Sequence, residues 1–204
     1  MEIEKKSFEI IKGELGEEFV SRYPADALPV LCRVIHTTAE FSYRDTLTIP
    51  EGAIGLAKEA IHRGLPIITD TTMAASGINK TAARKFGIDV HCFIGDEDVK
   101  KAAKASGMTR SAVSAEKAAR LYSECIYAVG NAPTALMRLY ELIEEKKIRP
   151  ALIIGVPVGF VNVVEAKELI LRTDVPAIVA RGRKGGSNIA AAICNALLYE
   201  AGGR

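Results

Sequence analysis

Five short apolar runs recur along this chain: LPIIT (65–69), VHCFI (90–94), IYAV (126–129), ALIIGV (151–156) and AIVA (177–180), each bounded by turn-forming residues. Between them lie longer stretches with apolar residues at helical spacing, clearest over 51–63, 80–86, 111–122, 133–146, 164–171 and 187–201. Short apolar strands alternating with longer helices predict βαβ units around a parallel sheet. Strands of such a sheet are buried on both faces, which is why the runs are continuous rather than alternating. The expected fold is α/β: a doubly wound, three-layer α/β/α sandwich with a five-stranded parallel sheet of flavodoxin-like order.

Two further helices are expected ahead of the sheet. One spans 7–15. The other spans 25–37, where Ala27, Leu28, Leu31, Val34 and Ile35 follow the i, i+3, i+4, i+7 pattern, with Pro29 in the first turn and Asp26 as N-cap. The chain reads as one domain over 1–204 with a helical arm over about 1–40, the part expected to lie across a partner. At 204 residues and 49% hydrophobic it can bury a core without a disulfide or structural metal, and it is too apolar to be disordered. Twenty-seven Lys and Arg against 25 Asp and Glu leave a net charge of +2, not the excess of a nonspecific nucleic-acid binder. Cys32, Cys92, Cys125 and Cys194 sit apart in apolar stretches, which suits reduced, buried thiols and no metal site. The N-terminal MEIEKKSFEIIK is too charged for a signal-peptide core, and the apolar run 151–161 is short of the ~20 residues that span a bilayer. No membrane partner and a cytoplasmic location are expected.

Ligands of such sheets bind outside the carboxyl ends of the strands. Four loops there are unusual: 70–77 (DTTMAASG), 130–134 (GNAPT), 156–161 (VPVGFV) and 181–187 (RGRKGGS). Small residues admit a ligand close to the backbone, and helix N-termini offer N–H groups to anions. Three cations and three glycines in RGRKGGS suit a ligand with several anionic groups, since arginine forks two hydrogen bonds onto a carboxylate or phosphate. A solvated basic turn before a glycine helix start explains the same residues, and Pro133 in GNAPT fits helix capping as well as ligand binding. Neither GxxxxGK[ST] nor GxGxxG occurs.

Among three histidines, His62 lies near a helix C-terminus and His91 inside an expected strand, where structural roles suffice. His36 follows Arg33 by three positions, so the two project from one helix face, an arrangement that suits acid catalysis beside an anion anchor. On these residues alone the structural role of His36 carries the greater weight.

Read together, SFEII (7–11), RVIH (33–36), DTTMAASGI (70–78), TRSA (109–112), GNAPTAL (130–136), PVGFV (157–161), E-x-K-E (165–168) and RGRKGGS (181–187) resemble the precorrin-8X methylmutase family, including the cobalt-precorrin-8 methylmutases. The blocks run in order across nearly the whole chain. The resemblance implies an isomerase of cobalamin biosynthesis that moves a methyl group from C-11 to C-12 of a corrinoid precursor, giving hydrogenobyrinate, or cobyrinate when cobalt is already in the ring. It implies a homodimer, no cofactor beyond any cobalt carried by the substrate, and His36 as the proton donor and acceptor. Ser7 and Arg33 are implied as substrate contacts. On this reading Thr71, Arg110, Asn131, Thr134, Arg181, Arg183 and Lys184 serve the substrate's carboxylates and Phe160 its apolar face, the pairing a flat macrocycle fringed by acids requires.

The chain departs from the family pattern at Asn162 and Ala166, where the family usually has glycine and serine, and it begins six residues before SFEII, which predicts fewer N-terminal contacts. Two rival functions remain: a non-catalytic tetrapyrrole carrier that keeps the pocket, and a phospho-ligand enzyme built on the RGRKGGS loop.

Overall fold

The computed structural model describes residues 2–203. In chain order the elements are α1 (Glu2–Leu15), α2 (Glu17–Arg22), α3 (Leu28–Thr38), α4 (Tyr43–Thr46), β1 (Leu47–Thr48), α5 (Ala53–His62), β2 (Ile67–Thr69), α6 (Thr72–Gly77), α7 (Lys80–Arg84), β3 (Val90–His91), α8 (Glu97–Ser106), α9 (Arg110–Leu121), β4 (Ile126–Val129), α10 (Pro133–Glu144), β5 (Leu152–Gly155), α11 (Val163–Ile170), β6 (Ala177–Ala180) and α12 (Ser187–Ala201).

All five expected strands form inside their apolar runs. They lie in the order β3-β2-β4-β5-β6, the flavodoxin-like arrangement, and every pair among them is parallel. The sheet has a sixth strand that the apolar runs do not announce. β1 runs antiparallel along β6, with Leu47 opposite Ala180 and Thr48 opposite Val179. Two residues carry no periodicity of their own, and this strand exists because the edge of β6 offers free backbone groups. Helix α8 is likewise absent from the expected helices: its EDVKKAAKAS buries only Val99 and Ala103, too thin an apolar stripe to stand out.

Alternation of side chains assigns the two faces of the sheet. Ile126 and Ala128 of β4 point into one core with α5, α12 and α3, whereas Tyr127 and Val129 point into the other with α8, α9, α10 and α11. On the first side the helical arm packs on its own chain. α3 lays its buried Leu31, Val34 and Ile35 toward α12, and α1 rests on α3 as an outer layer of the same chain. Asp26 does not cap α3. The residue before the helix is Ala27, without a side-chain cap, and Pro24 O takes the N–H groups of Ala27 and Leu28 at 3.0 Å. No helix among the described residues is long and apolar enough to cross a membrane.

Candidate active site

β2 turns to β3 on one side and is flanked by β4 on the other, so the strand order reverses between β2 and β4. That switch point is where a doubly wound sheet opens a crevice. Asp70, the first residue after β2, lies beneath it, 1% exposed. Its carboxylate accepts N–H groups from Gly130 (2.9 Å), Asn131 (2.8 Å) and Ala132 (2.8 Å). Burial pushes the Asp70 carboxyl above the ordinary range, and the three donors pull it back. The N–H row of the GNAPT loop therefore holds the chain's own carboxylate. The Asn131 side chain is exposed, while Thr134 accepts a hydrogen bond from Thr109 (2.9 Å), the N-cap of α9. That bond brings Arg110, exposed at the start of α9, alongside the same loop.

The neighbouring loops are tied across the strand ends. Thr71 Oγ1 accepts from Ala74 N–H (3.1 Å), capping α6, and lies 2.8 Å from Ser187 Oγ, so its hydroxyl is already engaged. Gly130 passes so close to α12 that a Cβ would stand 2.6 Å from Ser187 Cα. Gly159 N–H donates to Arg183 O (3.2 Å) and Gly186 N–H to Val156 O (2.8 Å), joining the third and fourth loops. From this rim Phe160 projects 81% exposed, with Met73 and Val161 also open, and the Arg183 guanidinium lies 5.5 Å from the Phe160 ring centroid. Arg181 pairs with Glu168 (3.2 Å) and remains exposed. Lys184 pairs with Glu40 (2.7 Å) and donates to Ser42 Oγ (2.8 Å). That lysine and the Ser42 N–H hold the Glu40 carboxyl down at about 2.

The remaining expected site residues lie on the arm. His36 is exposed in the last turn of α3, its ring set edge-on to Phe8 with centroids 5.8 Å apart. Glu40 follows it by four residues, so the Glu40–Lys184 pair ties the end of α3 that carries His36 to the cationic loop. Arg33, one turn below, shares the Phe8 ring with His36, so the two project from one helix face. Arg33 pairs with Glu4 of α1 and lies between the rings of Phe8 (4.9 Å) and Tyr199 (5.3 Å), in a cleft of about 400 Å³ with Lys5 and Pro29. Tyr199 is twelve residues along α12 from Ser187, so the Tyr199 wall of this cleft lies about 18 Å along that helix from its start. Ser7, half-buried, donates its hydroxyl to Ile3 O (3.0 Å) within α1.

The structure thus gathers Thr71, Arg110, Asn131, Thr134, Phe160, Arg181, Arg183 and Lys184 along the carboxyl edge of the sheet, and keeps Ser7, Arg33 and His36 on the arm. His62 closes α5 against Phe86, and His91 hydrogen-bonds Tyr122 (3.0 Å), both structural settings. Asp70 and Glu40 join the site without having been expected there. An aspartate placed directly after a buried strand was the available signal for the first; no local pattern announces the second. No cluster of three or more metal-ligating side chains occurs among the described residues.

A model of the family described as precorrin-8X methylmutase (CbiC) matches residues 2–200. The cobalt-precorrin-8 methylmutase of Leptospira interrogans is 44% identical over 204 residues, covering 96% of this chain and 91% of its own length. That of Salmonella typhimurium is 43% identical over 201 residues, covering 97% and 94%. A crystal structure of precorrin-8X methylmutase from Thermus thermophilus superposes with a TM-score of 0.88 at 37% identity, covering all of this chain and 98% of that one.

Proposed function

The chain belongs to the precorrin-8X methylmutase family, and we propose that its rim and arm together bind a corrinoid precursor, whose C-11 methyl group moves to C-12 with protonated His36 as general acid. The observation that carries this reading is the position of His36, open to solvent at the end of α3 that Glu40 ties to the cationic loop. The substrate is a flat apolar ring edged with carboxylates. The rim supplies matching chemistry: Phe160, Met73 and Val161 as exposed apolar contacts, and Arg110, Arg181, Arg183 and Lys184 as exposed cations.

His36 donates its proton to a ring nitrogen. The conjugated system becomes more electron-poor, the methyl group migrates within the same molecule, and the proton returns to His36. Nothing is oxidised and no group comes from a donor, so the chemistry requires no cofactor. Cobalt, when present, enters as part of the substrate ring. Positioned proton transfer of this kind contributes ~10²–10⁴-fold.

The family resemblance also favours a homodimer, in which the arm and the rim of one chain stay joined through Glu40 and Lys184. The test is anaerobic mixing with precorrin-8X and, separately, with its cobalt form, followed by visible absorption. The parent converts one or both to the corrin chromophore and His36→Ala does not. The faster form identifies the natural substrate. A stable spectral shift without conversion in the parent replaces this reading with the carrier, and no shift at all removes the corrinoid.

A further inference from the structure

We propose that Lys167 is a positioning residue for this site: it pins the backbone of the Arg181–Ser187 loop in the shape that presents Arg183 and Lys184 to the ligand's carboxylates. The proposal rests on the preceding assignment of that loop to carboxylate binding.

Lys167 stands where a lysine has no packing reason to be. The buried residues of α11 are Val163, Ala166, Lys167 and Ile170, the i, i+3, i+4, i+7 stripe that faces a core. Lys167 is 0% exposed. Burying an ammonium costs several kcal/mol unless it is compensated, and no carboxylate among the described residues forms an ion pair with this one. Its compensation is specific. Nζ donates to Gly182 O at 2.8 Å and to Lys184 O at 2.9 Å, the two carbonyls on either side of Arg183. Arg183 O itself takes the Gly159 N–H. Three consecutive carbonyls of the loop are therefore held from beneath, two of them by one side chain.

Beyond Lys167, backbone bonds hold the loop near its ends, Arg181 N–H to Thr46 O (2.8 Å) and Gly186 N–H to Val156 O (2.8 Å), besides the Gly159 N–H at Arg183 O. Gly182 has φ +76° and Gly186 φ +148°, conformations open to glycine and costly for other residues. Gly185 lies against the preceding loop so tightly that a Cβ would meet Val156 O at 2.1 Å. A chain this rich in glycine gains least from its own stiffness and most from an outside anchor. Burial also lowers the Lys167 pKa to about 8, and both hydrogen bonds survive in the neutral amine, which still has two N–H groups. The lysine anchors the loop in either protonation state.

The experiment compares Lys167→Met, Lys167→Arg and the double variant Arg183→Ala/Lys184→Ala with the parent. Titration with hydrogenobyrinate gives ligand affinity, steady-state turnover separates KM from kcat, and trypsin cleavage after Arg181 reports loop order. Lys167→Met is expected to raise Kd and KM about tenfold or more, with kcat changed far less, and to open the loop to trypsin. Lys167→Arg, which keeps the donors, returns affinity to within about threefold of the parent. The double variant loses affinity while the bond after Arg181 stays protected. A folded Lys167→Met with parental affinity and parental trypsin resistance overturns the proposal while the double variant's loss upholds the loop as the carboxylate site. A double variant that binds like the parent overturns that assignment, and the proposal with it. Should Lys167→Met fail to fold, Lys167→Gln is measured in its place: the same losses support the anchor, and parental affinity with parental trypsin resistance overturns it.

Discussion

The rim at the carboxyl edge of the sheet and the helical arm beside it are built by opposite means. The rim is wired from inside: Asp70 holds the 130–132 backbone, Lys167 holds the 182–184 backbone, and Thr71 meets Ser187, all through buried or half-buried polar contacts. The arm is seated by apolar packing of α3 on α12, and its polar residues lie toward solvent or in the Arg33 cleft. A ligand with many carboxylates needs donors that do not relax when it arrives, and interior wiring provides them. The proposed proton donor, His36, needs access more than rigidity, and it lies on an exposed turn of α3.

That contrast is sharpest at His36. His36→Ala should lower kcat by about 10²–10⁴-fold and change unfolding free energy by less than about 0.5 kcal/mol, since an exposed side chain with one ring contact is removed. Turnover and urea unfolding on the same preparation check it. A comparable loss of stability would show that the arm, too, depends on this residue for its structure.

Asp70 should behave in the reverse manner. Asp70→Ala strands three backbone N–H groups, two of them at buried residues, and should cost about 3 kcal/mol in denaturant unfolding, with ligand affinity falling because the 130–134 loop loosens. A stable variant with normal binding would break the distinction between a wired rim and a packed arm.

Lys167 ties the rim to pH. Its pKa is lowered from 10.5 to about 8 in the folded chain because burial penalises the charged form. Between those values the unfolded chain binds the extra proton, so folded stability rises with pH; below pH 8 the penalty is fully present. Relative to Lys167→Met, the parent should gain about 1–3 kcal/mol between pH 8 and 10.5, measured as the difference between two urea-unfolding series.

The smallest effect is expected on the arm. Glu4→Gln removes the carboxylate that pairs with Arg33, whose side chain is 16% exposed against 26% for Glu4, and should cost no more than about 1 kcal/mol. A double-mutant cycle with Arg33→Gln isolates the pair from the ring contacts that Arg33 makes with Phe8 and Tyr199.

Much of the scaffold was legible because buried parallel strands and amphipathic helices write their burial into local runs. IYAV and AIVA became β4 and β6 over the very residues read, and 187–201 became α12 without a change of limits. β1 was invisible because its two residues are a strand only against β6. The four loops stood out by composition, yet composition left open whether the GNAPT backbone binds a ligand or a helix cap. The structure shows a third use, a bond network with Asp70 across some sixty residues of chain.

By itself the sequence determined the order and kind of the main elements, the apolar faces they bury and the family to which the chain belongs, since each of these is carried by residue type at local spacing or by ordered motifs. Only the tertiary structure decided that Arg33 belongs to a cleft at the far end of α12, that Lys184 answers to Glu40, and that Lys167 on a core stripe is an anchor rather than a misplaced charge. The physical reason is that a hydrogen bond or ion pair is made by groups close in space, and the closeness of residues 40 and 184, or 167 and 182, comes into being when the sheet and its two layers of helices assemble.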